Sequence, residues 1–192
     1  SIDRKLIDFI EWFSIYNMVP IGLTLKMVIG SADKFIKKND NSTELKKTNL
    51  KKYTLNKEQI SALKFLEKIK DKFDVSVLQG ATGSGKTLVY FERIKKILKE
   101  KKQALVLLPE IFLTNDFKFR FENFFGFEPA IWHSKITPKQ KRIVWQGVIN
   151  NEIKILVGAR SSLLLPFKKL GIIIVDEEHD TSYKQDEGVI YN

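Results

Sequence analysis

The sequence contains no cysteine and no long hydrophobic run. Without thiols the chain can form neither a disulfide bond nor a thiolate metal site, which excludes a disulfide-stabilised scaffold and a cysteine-ligated zinc centre. Apolar stretches such as 163–167 and 172–175 fall far short of the about 20 residues that a membrane-spanning helix needs. The first residues are charged and amphipathic, unlike a secretory signal. We therefore expect a cytoplasmic protein with no membrane partner and no zinc site in this chain.

The charge balance is basic. Lys and Arg number 33 against 23 Asp and Glu, which gives a formal net charge of +10. A surplus of this sign favours polyanionic partners, nucleic acid first. Lysine is also abundant throughout the chain, and a general compositional bias would give the same balance. Charge alone therefore leaves both interpretations open.

The 192 residues, 43% of them hydrophobic, suit one domain or one domain with a small appendage. Two helices are predicted first, at 3–16 and 23–29, and a lysine-rich exposed linker follows at 31–52. Helices are then predicted at 57–72, 86–99, 112–125 and 138–150, and strands at 74–78, 104–108, 129–132, 154–157 and 171–175. Alternating strands and helices predict an α/β fold with a mainly parallel sheet covered by helices on both faces.

One glycine-rich segment carries the strongest chemical signal. Residues 80–87 read Gly-Ala-Thr-Gly-Ser-Gly-Lys-Thr, which fits the P-loop pattern that cradles phosphates with backbone N–H groups. The Lys86 ammonium would reach the β- and γ-phosphates, and the Thr87 hydroxyl would hold Mg²⁺. The predicted nucleotide contacts are Gly80, Ala81, Thr82, Gly83, Ser84, Gly85, Lys86 and Thr87. The expected cofactors are ATP and Mg²⁺.

A second acidic motif supports this interpretation. The run Ile-Ile-Ile-Val at 172–175 is followed by Asp-Glu-Glu-His at 176–179, an apolar strand that ends in carboxylates. Asp176 would hold Mg²⁺, and Glu177 would position or activate the attacking water. The strand would place both carboxylates at the carboxyl edge of the sheet, beside the P-loop. Lys86, Asp176 and Glu177 are the predicted catalytic residues.

Asp-Glu-Glu-His resembles the DExH box of superfamily 2 helicases. Residues 53–59, 107–114 and 157–163 resemble further helicase motifs. More specifically, the chain resembles the bacterial replication-restart helicases in Trp-His-Ser at 132–134, Leu-Pro-Phe at 165–167 and Ser-Tyr-Lys-Gln at 182–185. The resemblance covers about residues 53–192, in the order and spacing of that family.

The resemblance implies a RecA-like P-loop NTPase lobe at 53–192, the ATP-binding half of a helicase motor. Residues 1–30 would be the end of an N-terminal DNA-binding region, and 31–52 the linker. The implied activity is that of an ATP-dependent 3′-to-5′ DNA helicase that assembles the primosome at stalled forks. The implied partners are forked or single-stranded DNA, other primosome proteins and single-strand-binding protein.

The family's roles fall on particular residues of this sequence. Gln59 lies in the segment that reaches the adenine, and His179 would couple the ATP site to DNA. The implied DNA contacts are Pro109, Thr114, Arg160, Ser161 and Tyr183, the last in an aromatic-rich loop where a base could stack. Arg160 could instead pair with a carboxylate, and for Tyr183 both interpretations stay open. We interpret His133 as a structural or surface residue, and Trp132 and Trp145 as core residues.

The chain departs from the family pattern in four places. Ala159 stands where the family has Thr, Val189 stands where it often has Trp, and 31–52 is too short for a winged helix. The chain stops at Asn192, before a second lobe that would supply an arginine finger, so we expect weak Mg·ATP binding, very slow hydrolysis and no unwinding. Two alternatives remain: a non-enzymatic DNA-binding remnant of a truncated or split helicase gene, and another superfamily 2 DNA translocase.

Overall fold

The computed structural model describes residues 4–29, 53–68 and 73–183. The helices are α1 (Arg4–Tyr16), α2 (Ile21–Ile29), α3 (Lys57–Lys68), α4 (Lys86–Lys99), α5 (Asn115–Phe125) and α6 (Pro138–Ile149), and the strands are β1 (Gln103–Leu107), β2 (Ala130–Trp132), β3 (Ile155–Gly158) and β4 (Leu170–Val175). Short 3₁₀ turns lie at Glu110–Phe112, Arg160–Leu164 and Thr181–Tyr183. The predicted linker at 31–52, the end of the helix predicted to 72, and the departure at Val189 lie outside the described residues.

The four strands form one parallel sheet in the order β2-β3-β1-β4. In its register Leu105 of β1 lies between Leu156 of β3 and Ile173 of β4. Strands β1 and β3 are buried along their whole length. A fully buried parallel strand is apolar on both faces, and this explains why their residues run without polar alternation. The α/β prediction with a parallel sheet is confirmed.

Helices cover the sheet on both faces because successive strand residues point to opposite sides. Ala104 and Val106 of β1 pack against α4 and α5 through a cluster rich in phenylalanine. Leu105 and Leu107 pack on the other face, against residues of α6 that include Trp145. Trp132 and Trp145 are both buried, in agreement with their interpretation as core residues.

The N-terminal helices α1 and α2 pack together and against the sheet domain. Ile10, Phe13 and Val28 form a buried cluster with Leu164. The Trp145 indole nitrogen donates a hydrogen bond to the main-chain oxygen of Val28, at 2.9 Å. The helical segment is therefore joined to the 3₁₀ turn at Arg160–Leu164 by apolar contact and to α6 by a hydrogen bond. None of the described helices is long and apolar enough to cross a membrane.

The predicted strand at 74–78 is not present. Residues 73–81 form no hydrogen-bonded strand, and Phe73 and Val77 are 96% and 87% exposed. Within the described residues, β4 pairs on one side alone, with β1, and about half of the Ile173 and Val175 surface is exposed. A β-strand is defined by its hydrogen bonds to a neighbouring strand. Within the described residues, 74–78 has no such neighbour. The strand prediction at 74–78 is therefore wrong for this structure, although α4 begins at the predicted residue.

Candidate nucleotide-binding site

The loop that precedes α4 depends on glycine. Gly83 and Gly85 have φ values of 79° and 83°, in the left-handed region that side chains with a Cβ rarely adopt. Gly85 caps α4, whose first residue is Lys86. The first N–H groups of a helix lack partners within the helix and carry partial positive charge, an arrangement that suits phosphate. The loop thus has the conformation and the helix start that a P-loop needs.

Lys86 lies folded over this loop. Its ammonium donates hydrogen bonds to the main-chain oxygens of Gly80, at 2.8 Å, and Ala81, at 3.2 Å. An ammonium has three protons to donate, and it is held here by loop backbone rather than by a carboxylate. Its position over the glycine-rich segment is the one from which it could reach phosphate oxygens.

Gln59 connects α3 to the same loop. Its side-chain amide donates to the main-chain oxygen of Ser84, at 3.0 Å. Gln59 and Asn56 also exchange backbone-to-side-chain hydrogen bonds of 3.0 and 2.8 Å at the start of α3. These bonds resemble a capping box and fix the direction of the Gln59 side chain. The residue predicted to lie near the adenine is therefore anchored against the P-loop.

Asp176 follows β4 and lies beside the P-loop helix. Its N–H donates to the Leu107 oxygen, at 3.1 Å. Its carboxylate accepts a hydrogen bond from the Tyr90 hydroxyl on α4, at 2.9 Å, and another from the Glu177 N–H, at 3.1 Å. The Tyr183 hydroxyl donates to the main-chain oxygen of Asp176, at 2.7 Å. The helix that follows the predicted P-loop is thus joined to the predicted metal ligand Asp176 by a direct side-chain contact.

Glu177 has an unusual backbone for its type, with φ at 53°. Non-glycine residues in this region carry strain that the surrounding structure must hold. Its carboxylate lies 3.6 Å from the Nε2 atom of His179, an ion pair when the imidazole is protonated. The structure therefore brings together the predicted water-activating carboxylate and the predicted coupling histidine.

Both tyrosines around Asp176 remain neutral donors. Burial, with the Asp176 charge and hydrogen bond, raises the pKa of Tyr90 far above its ordinary value, while the Thr87 side chain lowers it as a hydrogen-bond partner. Burial and the charges of Asp176, Asp180 and Glu177 raise the pKa of Tyr183. The Tyr90 phenol therefore interacts with both predicted Mg²⁺ ligands, Asp176 and Thr87.

The side-chain oxygens of Thr87 and Asp176 are suitable ligands for Mg²⁺. A hydroxyl and a carboxylate are the hard oxygen ligands that this cation takes, and it is usually held by one or two protein groups plus substrate phosphates. In the described part of the chain, no group of three or more His, Cys, Asp or Glu side chains is arranged so that it could hold a metal ion by itself. The residue types favour Mg²⁺ held together with a nucleotide over a metal held by protein ligands alone.

The predicted DNA contacts follow the carboxyl ends of β1, β3 and β4. Arg160 donates a hydrogen bond to the main-chain oxygen of Tyr183, so these two residues are in contact. Ser161 accepts from the Trp132 indole at 3.1 Å, and Thr114 caps α5 by accepting from the Phe117 N–H at 3.2 Å. Pro109 immediately precedes the 3₁₀ turn at Glu110–Phe112. Their contact with DNA remains a prediction.

Two residues that contact this region were not identified as functional candidates from the sequence motifs. Tyr90 lies three residues after Thr87 on α4, and residues at this spacing share a helix face, so helical periodicity could have found it. Glu110 accepts hydrogen bonds from Ser134, one from its N–H at 3.0 Å and one from its hydroxyl at 3.2 Å. These bonds lower the pKa of Glu110, and they join the loops that follow β1 and β2.

Comparison with known proteins agrees with the motifs. Residues 52–191 match the family described as "Type III restriction enzyme, res subunit". The Replication restart protein PriA of Rickettsia felis is 42% identical over 198 residues, and the match covers 100% of this chain and 29% of that protein. The proteins of the same name from Helicobacter pylori strain 26695 and Bacillus subtilis are 46% and 45% identical over 138 and 117 residues. They are covered to 22% and 14% of their length, with 72% and 61% of this chain. The resemblance to replication-restart proteins is confirmed.

Proposed function

We propose that this chain, which belongs to the family of the type III restriction enzyme res subunit, is the ATP-binding RecA-like lobe of a replication-restart DNA helicase. The observation that carries the proposal is the 2.9 Å hydrogen bond from Tyr90 on the P-loop helix to Asp176 at the end of β4. It supports the proposal because the helix that follows the glycine-rich loop is then held beside a carboxylate suited to a phosphate-bound cation. Nucleotide binding is the function that this arrangement supports best.

Each residue then has a definite task. The loop at 80–85 and the start of α4 enclose the phosphates, and the Lys86 ammonium exchanges its backbone partners for phosphate oxygens. Thr87 and Asp176 would hold Mg²⁺, and the bound ion would supply charge neutralisation at the phosphates. Glu177 orients the attacking water and accepts its proton. Gln59 holds the loop from the side of α3.

The activity of the whole protein is a wider proposal, because the chain spans 29% of the length of its Rickettsia felis relative. We assign 3′-to-5′ DNA helicase activity, forked or single-stranded DNA, primosome proteins and single-strand-binding protein as partners, and a cytoplasmic location. Residues 1–30 would belong to a DNA-binding region and 53–192 to the first motor lobe. The support is the motif resemblance and the relatives' printed name, Replication restart protein PriA. The contact between Arg160 and Tyr183 offers a route from bound DNA to Asp176.

The test is a titration of the 192-residue chain with a fluorescent ATP analogue and Mg²⁺. Lys86→Ala removes a charge-assisted contact of about 1.5–3 kcal/mol, so affinity should fall by about 10- to 150-fold. Lys139→Ala, on the exposed start of α6, removes the same charge elsewhere and should leave affinity unchanged. Equal affinity of wild type and Lys86→Ala would refute the nucleotide-site assignment.

A second arm separates the two alternatives. For this chain, nucleotide binding and DNA binding are measured, together with hydrolysis in the absence of DNA, with plain duplex and with forked DNA. A DNA-binding remnant would bind DNA but no nucleotide. Another superfamily 2 translocase would bind nucleotide, but its ATPase would not distinguish forked DNA from plain duplex.

A further inference from the structure

Tyr90 combines a buried ring with a hydroxyl that is aimed at one carboxylate. The residue is 5% exposed and packs in the phenylalanine-rich cluster between α4, α5 and the sheet. A buried phenol needs a hydrogen-bond partner, and the described contact is with the Oδ2 atom of Asp176, 86 residues further along the chain. The hydroxyl thus lies where the apolar core meets the proposed phosphate site.

Asp176 is held by donors from two different elements. Tyr90 on α4 donates to Oδ2, and the Glu177 N–H in the loop after β4 donates to Oδ1. Each carboxylate oxygen can accept about two hydrogen bonds, and the described residues use one position on each, which is compatible with a metal-bound water or ligand at the other. Two donors on opposite oxygens also fix the rotation of the carboxylate. A carboxylate at a free strand end would otherwise sample several orientations.

We propose that Tyr90 is a positioning residue that orients the Asp176 carboxylate toward the Mg²⁺ of a bound nucleotide. Tyr90 acts through Asp176 and is not itself a catalytic residue. This inference deepens the proposed function and rests on it. The position of Thr87, three residues before Tyr90 on the same face of α4, agrees with this role, because both proposed metal ligands are then neighbours of one phenol.

A purely structural role for Tyr90 makes a different prediction. If the residue only fills the core, its ring matters and its hydroxyl does not bear on Mg²⁺. Tyr90→Phe keeps the ring and removes the hydroxyl alone. A positioning role should then appear as a changed Mg²⁺ requirement, with little change in nucleotide binding when no divalent cation is present.

The experiment measures the Mg²⁺ concentration that half-saturates the Mg²⁺-dependent increase in affinity for a fluorescent ATP analogue. For Tyr90→Phe we expect this concentration to rise about tenfold, the lower end for loss of a group that supports a metal ligand, while affinity in EDTA stays that of wild type. Tyr16→Phe, an exposed tyrosine on α1, is the matched control and should behave as wild type. Asp176→Asn should raise the concentration further, and adding Tyr90→Phe to it should have no additional effect, because residues that act as one unit are not additive.

Each outcome is decisive. A wild-type Mg²⁺ requirement in Tyr90→Phe, equal losses with and without Mg²⁺, or an additive double variant would overturn the positioning role. If Lys86→Ala and Asp176→Asn also bind Mg²⁺ and nucleotide normally, the proposed function fails as well, and the two failures are distinguishable. Should Tyr90→Phe not fold, 3-fluorotyrosine placed at position 90 of the otherwise wild-type chain gives a second readout. Its fluorine resonance should shift when Mg²⁺ is added to the ATP complex, and an unchanged resonance contradicts the proposal.

Discussion

Two glycines of the P-loop share a backbone conformation but differ in their surroundings. Gly83 and Gly85 have φ values of 79° and 83°. A Cβ added at Gly83 would meet nothing within 4 Å, whereas at Gly85 it would overlap the side-chain amide nitrogen of Gln59. Gly83→Ala therefore tests backbone strain alone. Gly85→Ala adds the displacement of Gln59 from the Ser84 oxygen that it contacts at 3.0 Å.

The expected magnitudes follow from these two terms. A left-handed residue with a Cβ costs about 1–2 kcal/mol, and loss of one neutral hydrogen bond costs about 0.5–1.5 kcal/mol. We expect the free energy of unfolding to fall by about 1–2 kcal/mol for Gly83→Ala and about 1.5–3.5 kcal/mol for Gly85→Ala. At about 2–4 °C per kcal/mol for a chain of this size, Tm falls by roughly 2–8 and 3–14 °C. Affinity for nucleotide should fall more for Gly85→Ala, since the strain lies directly before Lys86.

The assay is thermal unfolding together with titration of the fluorescent ATP analogue. A third variant, Gly85→Ala with Gln59→Ala, removes the atom that the new Cβ would overlap. It should be no less stable than Gly85→Ala alone, because the two changes share one contact and are not additive. Equal loss in Gly83→Ala and Gly85→Ala would show that the Gln59 contact has no effect, and wild-type stability in both would refute the strain reasoning.

Two further predictions concern the scaffold around the site. Gln103, fully buried, donates to the oxygens of Val148 and Ile153 and accepts from the Lys169 N–H; Gln103→Leu should cost about 3–5 kcal/mol through three lost bonds and the polar groups left buried. Chemical denaturation measures this, and a loss below about 1 kcal/mol would contradict it. Hydrogen bonds from Ser134 lower the pKa of Glu110 below its ordinary 4.5, so this carboxylate stabilises the fold above pH 4.5 and less as the pH falls further. The Tm deficit of Glu110→Gln should therefore shrink from about pH 7 to about pH 3.5, and a deficit independent of pH would refute this.

The elements that sequence reasoning placed well are those with local signals. Helix α4 begins at the predicted Lys86 and ends at the predicted Lys99. Its apolar residues recur at helical spacing, and they follow Gly85, which caps the start of the helix. Strand β4 is also close to its predicted range, since a run of β-branched residues favours extended structure. Local periodicity was sufficient to predict the parallel α/β sheet, and the phosphate site that the two motifs indicate at its edge stays a prediction.

The features that sequence reasoning missed depend on partners distant in the chain. The apolar segment at 74–78 has the composition of a strand, yet composition does not supply the neighbouring strand that a ladder requires. The contact between Trp145 and Val28 spans 117 residues, and no local sequence pattern predicts it. The left-handed Glu177 likewise reflects the packing around the end of β4, where the Asp176 backbone and side chain already have fixed partners.

Among the described residues, the side chains that donate hydrogen bonds to Asp176 are the neutral hydroxyls of Tyr90 and Tyr183. Neutral donors affect the charge of the Asp176 carboxylate less than cations would. Tyr90 and Tyr183 have pKa values raised well above the ordinary value of a phenol, so both hydroxyls stay protonated throughout the physiological range. A hydrogen bond from a neutral donor leaves the negative charge of the carboxylate in place, whereas a lysine or arginine partner would compete with a cation for it. Such bonds are also less sensitive to salt than an exposed ion pair. Asp176 can therefore be fixed in orientation and still present its charge to Mg²⁺, which is the combination that the proposed site requires.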